Sequence, residues 1–191
     1  MDVLVAPTLC YGISPHHMAF KGTITLGTDT LIAIISDVTR SLVAHGFKRI
    51  VFINGHGGNT NAVMAALTRM KAENLPGLFK LISWYELEEV EAVTKSLFKD
   101  QEGQHATPGE VSITRYVRPD EFDNKPTEVV PVDNPDYYWP LTPAEMRRVF
   151  PDGRMNSAPW LASADHGKIL VKTAVTAIQQ QIERLSEMEI Y

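Results

Sequence analysis

A glycine-rich loop holds the histidine that is best placed for chemistry in this sequence. Residues 54–59 read Asn-Gly-His-Gly-Gly-Asn and follow a predicted strand. Ligands of open α/β sheets bind beyond the carboxyl ends of strands, where this loop falls. Its glycines let the backbone approach a ligand, and the next helix offers unpaired N–H groups to an anionic oxygen. We interpret His56 as a metal ligand or proton-transfer group. The alternative is an exposed histidine in a glycine-rich turn.

A second candidate pair flanks a Pro-Gly turn at the start of another predicted helix. His105 lies five positions before Glu110 in the run Gln-His-Ala-Thr-Pro-Gly-Glu. A carboxylate in the first turn of a helix is favoured by the helix dipole, which alone would explain Glu110. The functional alternative makes Glu110 a metal ligand and His105 an acid or base beside it.

The first loop contains two adjacent histidines, His16 and His17, shortly after Ser14. Neighbouring side chains on an extended chain point apart, so this pair is not expected to share one metal ion. One imidazole could contact a substrate while the other faces solvent. We favour His17 for the substrate contact.

Several other reactive residues have ordinary structural explanations. His45 precedes a helix-ending glycine and His166 lies near the start of the last predicted helix, so both are interpreted as structural. The aromatic run 137–139 is interpreted as core or interface. Cys10, the single cysteine, is predicted to be buried, and an internal disulfide or a thiolate metal cluster is excluded. The sequence contains no Gly-x-Ser-x-Gly motif, which disfavours a serine hydrolase.

Composition narrows the class of protein further. The 191 residues include 18 Lys+Arg and 23 Asp+Glu, for a net charge of -5, and 44% are hydrophobic. These values are typical of one globular domain, predicted over residues 1–191. An acidic chain is poorly suited to phosphate-based nucleic-acid binding. No apolar run is long enough to span a membrane and no signal peptide is visible, so we predict a cytoplasmic protein with no membrane partner.

Alternating strand and helix patterns predict an α/β fold with a mainly parallel sheet and helices on its faces. The chain begins with a predicted buried strand at residues 3–6, followed by a loop over 8–27. A helix capped by Thr28 or Asp29 is then expected to run to residue 45. Later elements are strands at 49–54 and 78–84 and helices at 60–74, 86–99, 109–117 and 165–188. Residues 119–159 are predicted to be a surface excursion, a flap or a subunit contact.

The candidate motifs together resemble those of the creatininase (creatinine amidohydrolase) family. The similar stretches are residues 11–17 followed by 20–23, residues 54–59, His105 with Glu110, and residues 162–168. The resemblance implies a three-layer α/β/α fold and often a hexamer. It also implies hydrolysis of a C–N bond in a small-molecule amide, frequently cyclic. The site would hold two divalent metals, which would be zinc, manganese or iron.

The resemblance also implies a role for each candidate residue. His56 matches the metal-binding histidine of the Gly-His loop, and His105 matches the catalytic histidine. Creatininase proper has a metal-binding glutamate where this chain has Gly58. The resemblance to other branches of the family therefore assigns that ligand role to Glu110, later in the chain. The metal and the loop N–H groups would stabilise the oxyanion of the attacked amide. The residues expected to contact substrate are Ser14, His17, Gly57, Gly58 and Asn59.

One part of the family pattern lies outside the chain. The resemblance places a Glu-x-His pair and a bridging aspartate before residue 1, and Asp29 only superficially matches that motif. We therefore expect an N-terminally truncated creatininase-like domain. The predicted function is metal-dependent amide hydrolysis by a homo-oligomer. The alternatives are a catalytically inactive structural or interaction subunit, and a nucleoside or sugar-phosphate binder that uses the glycine loop.

Overall fold

The computed structural model describes residues 2–121 and 136–190. Its sheet contains two parallel strands, β1 (Arg49–Asn54) and β2 (Leu78–Ser83), which pair in register from Arg49 opposite Leu78 to Asn54 opposite Ser83. The helices are α1 (Thr28–Ala44), α2 (Thr60–Ala72), α3 (Glu88–Phe98), α4 (Pro108–Val117), α5 (Pro143–Val149) and α6 (Ala164–Glu187). Because the strands are parallel, their carboxyl ends meet at one edge, beside the Gly-His loop.

Helices cover both faces of this sheet. Successive residues of a strand face opposite sides, and β1 shows this directly. Phe52 packs into a cluster with residues of α1 and α2, whereas Val51 packs into a second cluster with residues of α3 and α6. Removing this apolar surface from water stabilises the arrangement. The predicted three-layer α/β/α architecture is thus confirmed.

Close packing against α6 sets the position of α4. A Cβ atom on Gly167 of α6 would overlap the carbonyl oxygen of Ser112 on α4. The two helices are also tied by a hydrogen bond of 3.2 Å from the Ser163 N–H to the Ser112 hydroxyl oxygen. Glu110 lies on α4, so this contact fixes the helix that carries it.

The N-terminal segment differs from the prediction. Residues 3–6 are not in a strand, and Val5 is 91% exposed rather than buried. A strand needs a partner for its N–H and C=O groups, and this segment has no ladder within the described ranges. Cys10 is exposed as well, so the prediction that it is buried was wrong.

Two further predictions need correction. The N-cap of α1 is Gly27, with no side-chain capping bond, so neither Thr28 nor Asp29 caps that helix. The predicted irregular excursion over 119–159 contains α5, which is capped by reciprocal hydrogen bonds between Thr142 and Glu145. Residues 122–135 of that excursion lie outside the described residues. In the described part, no helix is both long and apolar enough to cross a membrane.

Candidate active site

Asn54 joins the ends of both strands to the Gly-His loop. Its side chain is buried, and Nδ2 donates to the Ser83 hydroxyl at 3.2 Å and to the Tyr85 hydroxyl at 3.3 Å. Its Oδ1 accepts from the His56 N–H at 3.1 Å. A buried amide satisfied on both sides holds its surroundings in one arrangement. The loop is therefore fixed directly at the carboxyl edge of the sheet.

The Gly-His loop is held against the first loop by contacts with Ile13. The Ile13 N–H donates to Asn59 Oδ1 at 2.9 Å, and the Ile13 carbonyl lies 2.8 Å from His56 Nε2. A Cβ atom on Gly58 would overlap that carbonyl oxygen. Gly58 thus permits the close approach of the two loops. Asn59, expected to contact substrate, has its side-chain oxygen engaged in this contact.

Three histidine rings lie in consecutive contact next to this loop, and we call them the histidine row: His16, His17 and His105. The ring centroids of His16 and His17 are 4.3 Å apart, and those of His17 and His105 are 4.1 Å apart. His17 is 5% exposed, and its Nδ1 lies 3.1 Å from the Ser14 hydroxyl. The structure thus brings Ser14 and His17 of the first loop together with His105, which is distant in the chain.

Burial keeps the histidine row uncharged at neutral pH. Burial first, and neighbouring imidazoles second, lower the pKa of both His16 and His17 to about 4. The pKa of His105 is also lowered, by burial and then by the nearby His56 and His16. A charged imidazole loses hydration when it is buried, which favours the neutral form. A neutral His105 can accept a proton, as a general base must.

The lowered pKa of His17 predicts an acid-sensitive fold. Between its ordinary value of 6.5 and the folded value of about 4, the unfolded chain binds a proton that the folded chain does not. Stability is therefore complete above pH 6.5 and falls as pH drops towards 4. From pH 7 to pH 5 we expect His17 to remove about 1–2 kcal/mol from the free energy of unfolding.

Urea unfolding at both pH values tests this, using His17→Asn as the variant and His45→Gln, at an exposed position, as the control. The His17→Asn variant should lose less stability than the parent between pH 7 and pH 5, whereas the control should follow the parent. An equal loss in the parent and in His17→Asn would contradict the assignment.

Glu110 has both a structural contact and a place in a groove. It is the third residue of α4, where its N–H donates to Thr107 Oγ1 at 3.1 Å and its Oε2 accepts from the Thr107 N–H at 2.9 Å. This capping box confirms the helix-start explanation. Glu110 also lines a groove of about 390 Å³ with Gly55, the neighbour of His56, and with Trp84. The rest of the groove is aliphatic: Ile113, Val171, Ala174, Val175 and Ile178.

The described side chains do not by themselves fit the two-metal site that the resemblance implies. A catalytic zinc usually has three protein ligands. Within residues 2–121 and 136–190, no group of three His, Cys, Asp or Glu is placed to hold a metal ion. His56 Nε2 contacts the Ile13 carbonyl and one oxygen of Glu110 accepts from Thr107. His56 and Glu110 are therefore two ligand candidates rather than a complete set.

Sequence reasoning missed several residues of this region. Asn54 could have been selected from the sequence, because a polar residue at the end of a buried strand often marks a binding site. Tyr85 and Trp84 directly follow β2, so their position at the same edge was also readable. Glu102 had no such signal; it lies beside Gly109, and burial raises the pKa of its carboxyl. Trp139, whose ring contacts His16, belongs to the aromatic run interpreted as core or interface.

Comparison with known proteins agrees with the fold and the motifs. The family model for creatininase, described as creatinine amidohydrolase, matches residues 1–182. A creatinine amidohydrolase of Pseudomonas putida is 27% identical over 95% of this chain and 75% of its own length. A mycofactocin precursor peptide peptidase of Mycobacterium tuberculosis is 41% identical over 37% of this chain. That match spans only 28% of the length of the mycobacterial peptidase.

Solved structures give the same result. A manganese creatininase superimposes with a TM-score of 0.63, at 25% identity, over 86% of this chain and 67% of that chain. A Bacteroides fragilis structure, 21% identical, has a TM-score of 0.72 over 95% of this chain and 71% of its own, which shows a shared fold. The fold and the site together thus define an α/β/α domain with a Gly-His loop at the carboxyl edge of its sheet. The chain belongs to the creatininase family.

Proposed function

We propose that this chain hydrolyses the C–N bond of a small-molecule amide at the carboxyl edge of its sheet. The observation that carries the proposal is the position of the half-buried His105, whose pKa is lowered by burial, beside the Gly-His loop. Support comes from relatives of two kinds, a creatinine amidohydrolase and a peptide peptidase, both of which act on bonds of this type. A mutant creatininase complexed with creatine, 25% identical to this chain, also supports a small-molecule substrate.

The chemistry assigned to this chain is proton transfer and oxyanion binding. His105 accepts a proton from the attacking water, whose oxygen forms the new bond to the amide carbon. As the C–N bond breaks, His105 returns the proton to the leaving nitrogen, which departs as an amine or ammonia. The carbonyl oxygen is charged in between, and the N–H groups of Gly57 and Gly58 are the donors proposed to stabilise it, because the Asn59 N–H already donates to the His56 carbonyl at 3.0 Å. Ser14 would orient His17, and both would line the substrate position.

The proposal also includes a divalent cation bound at the site. Family structures include manganese and Zn-Zn forms of creatininase. His56 and Glu110 are the side chains with which this chain would hold a cation, with water filling the remaining positions. A bound cation would supply Lewis-acid assistance to the amide. With two protein ligands we expect weak binding. Assembly as a homo-oligomer, a cytoplasmic location and the absence of nucleic-acid partners remain predictions.

Amide hydrolysis with controlled metal content tests the proposal. The purified chain is incubated with creatinine, formamide and short peptide amides, with Mn²⁺, with Zn²⁺ or with chelator, and the released amine or ammonia is measured. The variant Glu110→Gln preserves the capping box, because glutamine also serves at this position, but removes the carboxylate charge. We expect turnover that the chelator abolishes and that Glu110→Gln reduces about 100-fold, the scale of losing one electrostatic contact in a transition state.

The second candidate function is a non-catalytic structural subunit of the same fold. Its supporting observation is that no three-ligand metal group occurs in the described residues. Absence of turnover on every amide, at any cation concentration, would favour this function over hydrolysis. Protection against unfolding by phosphate, without dependence on a cation, would instead favour the phosphate-binding alternative.

A further inference from the structure

Trp139 extends the histidine row to the surface. Its ring centroid is 4.9 Å from that of His16, with the rings at 70°. The row therefore runs from Trp139 through His16 and His17 to His105. Exposure falls from 52% for Trp139 to 5% for His17, and His105 beyond it is half-buried. Trp139 thus lies at the more exposed end of a set of rings whose other end is the proposed proton-transfer residue.

The segment that carries Trp139 is anchored on both sides. Tyr137 packs edge-on against Phe150, with ring centroids 5.3 Å apart. Leu141 is buried in a small core with Met146, Val149, Phe150 and Met155. Between these anchors, Tyr138 is 91% exposed. Segment 137–141 therefore resembles a strap fixed at its ends, with Trp139 directed onto His16 and Tyr138 directed into solvent.

The same small core also supports the histidine loop. Phe20, which follows His17 in the first loop, packs against the core and lies 5.9 Å from the His17 ring. The Arg147 guanidinium of α5 lies over the Phe20 ring at 4.5 Å, a cation–π contact. The strap and the first loop therefore share one support, so the position of Trp139 relative to His16 and His17 is preorganised.

A half-exposed indole beside uncharged imidazoles favours one type of ligand group. Burial keeps the pKa of His16 and His17 near 4, so the row offers no positive charge to an anion at neutral pH. It offers flat π surfaces, which prefer offset or edge-on contact with another planar group. The indole is also large enough to bury the face of an aromatic ring, whereas a two-carbon acyl group would gain little contact area from it.

We propose that Trp139 is a specificity-determining residue that packs against a planar, uncharged group attached to the scissile amide. The assignment rests on the proposed amide hydrolysis for its role in turnover, but it can be tested by binding alone. The ligand class is an aromatic amide, with benzamide as the probe and acetamide as the comparison lacking a ring.

The experiment compares the parent chain with Trp139→Ala, Trp139→Phe and Tyr138→Ala. For benzamide we expect Trp139→Ala to raise KM, and Kd by ligand-observed NMR, about tenfold, the scale of one lost aromatic contact with its buried area. Trp139→Phe should restore most of the affinity, and Tyr138→Ala, the exposed neighbour, should leave it unchanged. The values of kcat/KM for acetamide should change less than about threefold in all variants. Thermal unfolding of each variant shows whether Trp139→Ala is folded. If it is not, the affinity of Trp139→Phe for benzamide is compared with that of the parent instead.

The outcomes separate this inference from the proposed function. Loss of benzamide binding in Trp139→Ala without turnover of any amide would support the role of Trp139 and count against hydrolysis. Turnover with the same benzamide-to-acetamide ratio in the parent and in Trp139→Ala would support hydrolysis and overturn the role of Trp139. Failure of the parent to bind benzamide would also overturn it, as would an equal loss of binding in Tyr138→Ala.

Discussion

Replacing His105 with phenylalanine should reduce kcat for amide hydrolysis by about 10²–10⁴-fold, the usual contribution of a positioned proton-transfer group. Phenylalanine keeps an aromatic ring next to His17, whose centroid lies 4.1 Å from that of His105, but it cannot accept a proton. The backbone of residue 105 is held independently, because the Ser157 hydroxyl donates to its carbonyl at 2.6 Å. Steady-state kinetics on the best amide of the panel measures the effect.

The same kinetics separates a chemical role from a packing role for His105. KM should change little, because the ring volume is kept, while kcat and kcat/KM fall together. His45→Gln, which alters an exposed histidine at the end of α1, should have parent kinetics. If His105→Phe retained more than a tenth of the parent kcat, proton transfer by His105 would have to be abandoned.

Replacing Gly167 with alanine should lower the free energy of unfolding by about 1–3 kcal/mol, the range measured for overpacking a tight contact. In an open helix position the same change would stabilise by about 1 kcal/mol, through alanine's better helix propensity. Here the new Cβ atom overlaps the Ser112 carbonyl oxygen, which belongs to backbone and cannot move to another rotamer. Overlap therefore outweighs propensity, and α4 must shift away from α6.

Chemical denaturation of Gly167→Ala measures this cost, with Gly27→Ala as the matched control. At Gly27 the added Cβ atom meets only Thr30 Oγ1, at 3.6 Å, so stability should change by less than about 1 kcal/mol. Because α4 carries Glu110, the shift caused at Gly167 should also lower cation affinity. A Gly167→Ala chain as stable as the parent would show that α4 and α6 are not in tight contact at Gly167.

The sheet and its helices were predictable because their signals are local. β1 and β2 are short runs rich in branched and aromatic residues, and α1, α2 and α6 repeat apolar residues with helical period. Residues 3–6 have the same strand composition, yet they are exposed and unpaired. Composition indicates that a segment is able to form a strand. Whether it does so depends on a partner strand for its hydrogen bonds, which the rest of the fold must supply.

The candidate residues could be selected from the sequence, but their arrangement in space could not. The motifs identified His56, His105 and Glu110, and parallel topology explains why the Gly-His loop lies near Ser83 and Tyr85. Nothing local predicts that His17 stacks on His105, since the two loops meet only through tertiary packing. The N-terminal cap of α5 did have a signal, the Thr-x-x-Glu spacing from residue 142 to 145, which the surrounding prolines obscured.

Joint action of His56 and Glu110 on one cation can be measured by a double-mutant cycle for Mn²⁺ binding. The Kd for Mn²⁺ is determined by electron paramagnetic resonance for the parent, His56→Asn, Glu110→Gln and the double variant. If both side chains hold one ion, each single change should weaken binding about tenfold or more, and the double change should cost clearly less than the sum, with a coupling of about 1 kcal/mol or more. Additive effects, unchanged affinity in either single variant, or no Mn²⁺ binding by the parent would contradict a shared cation.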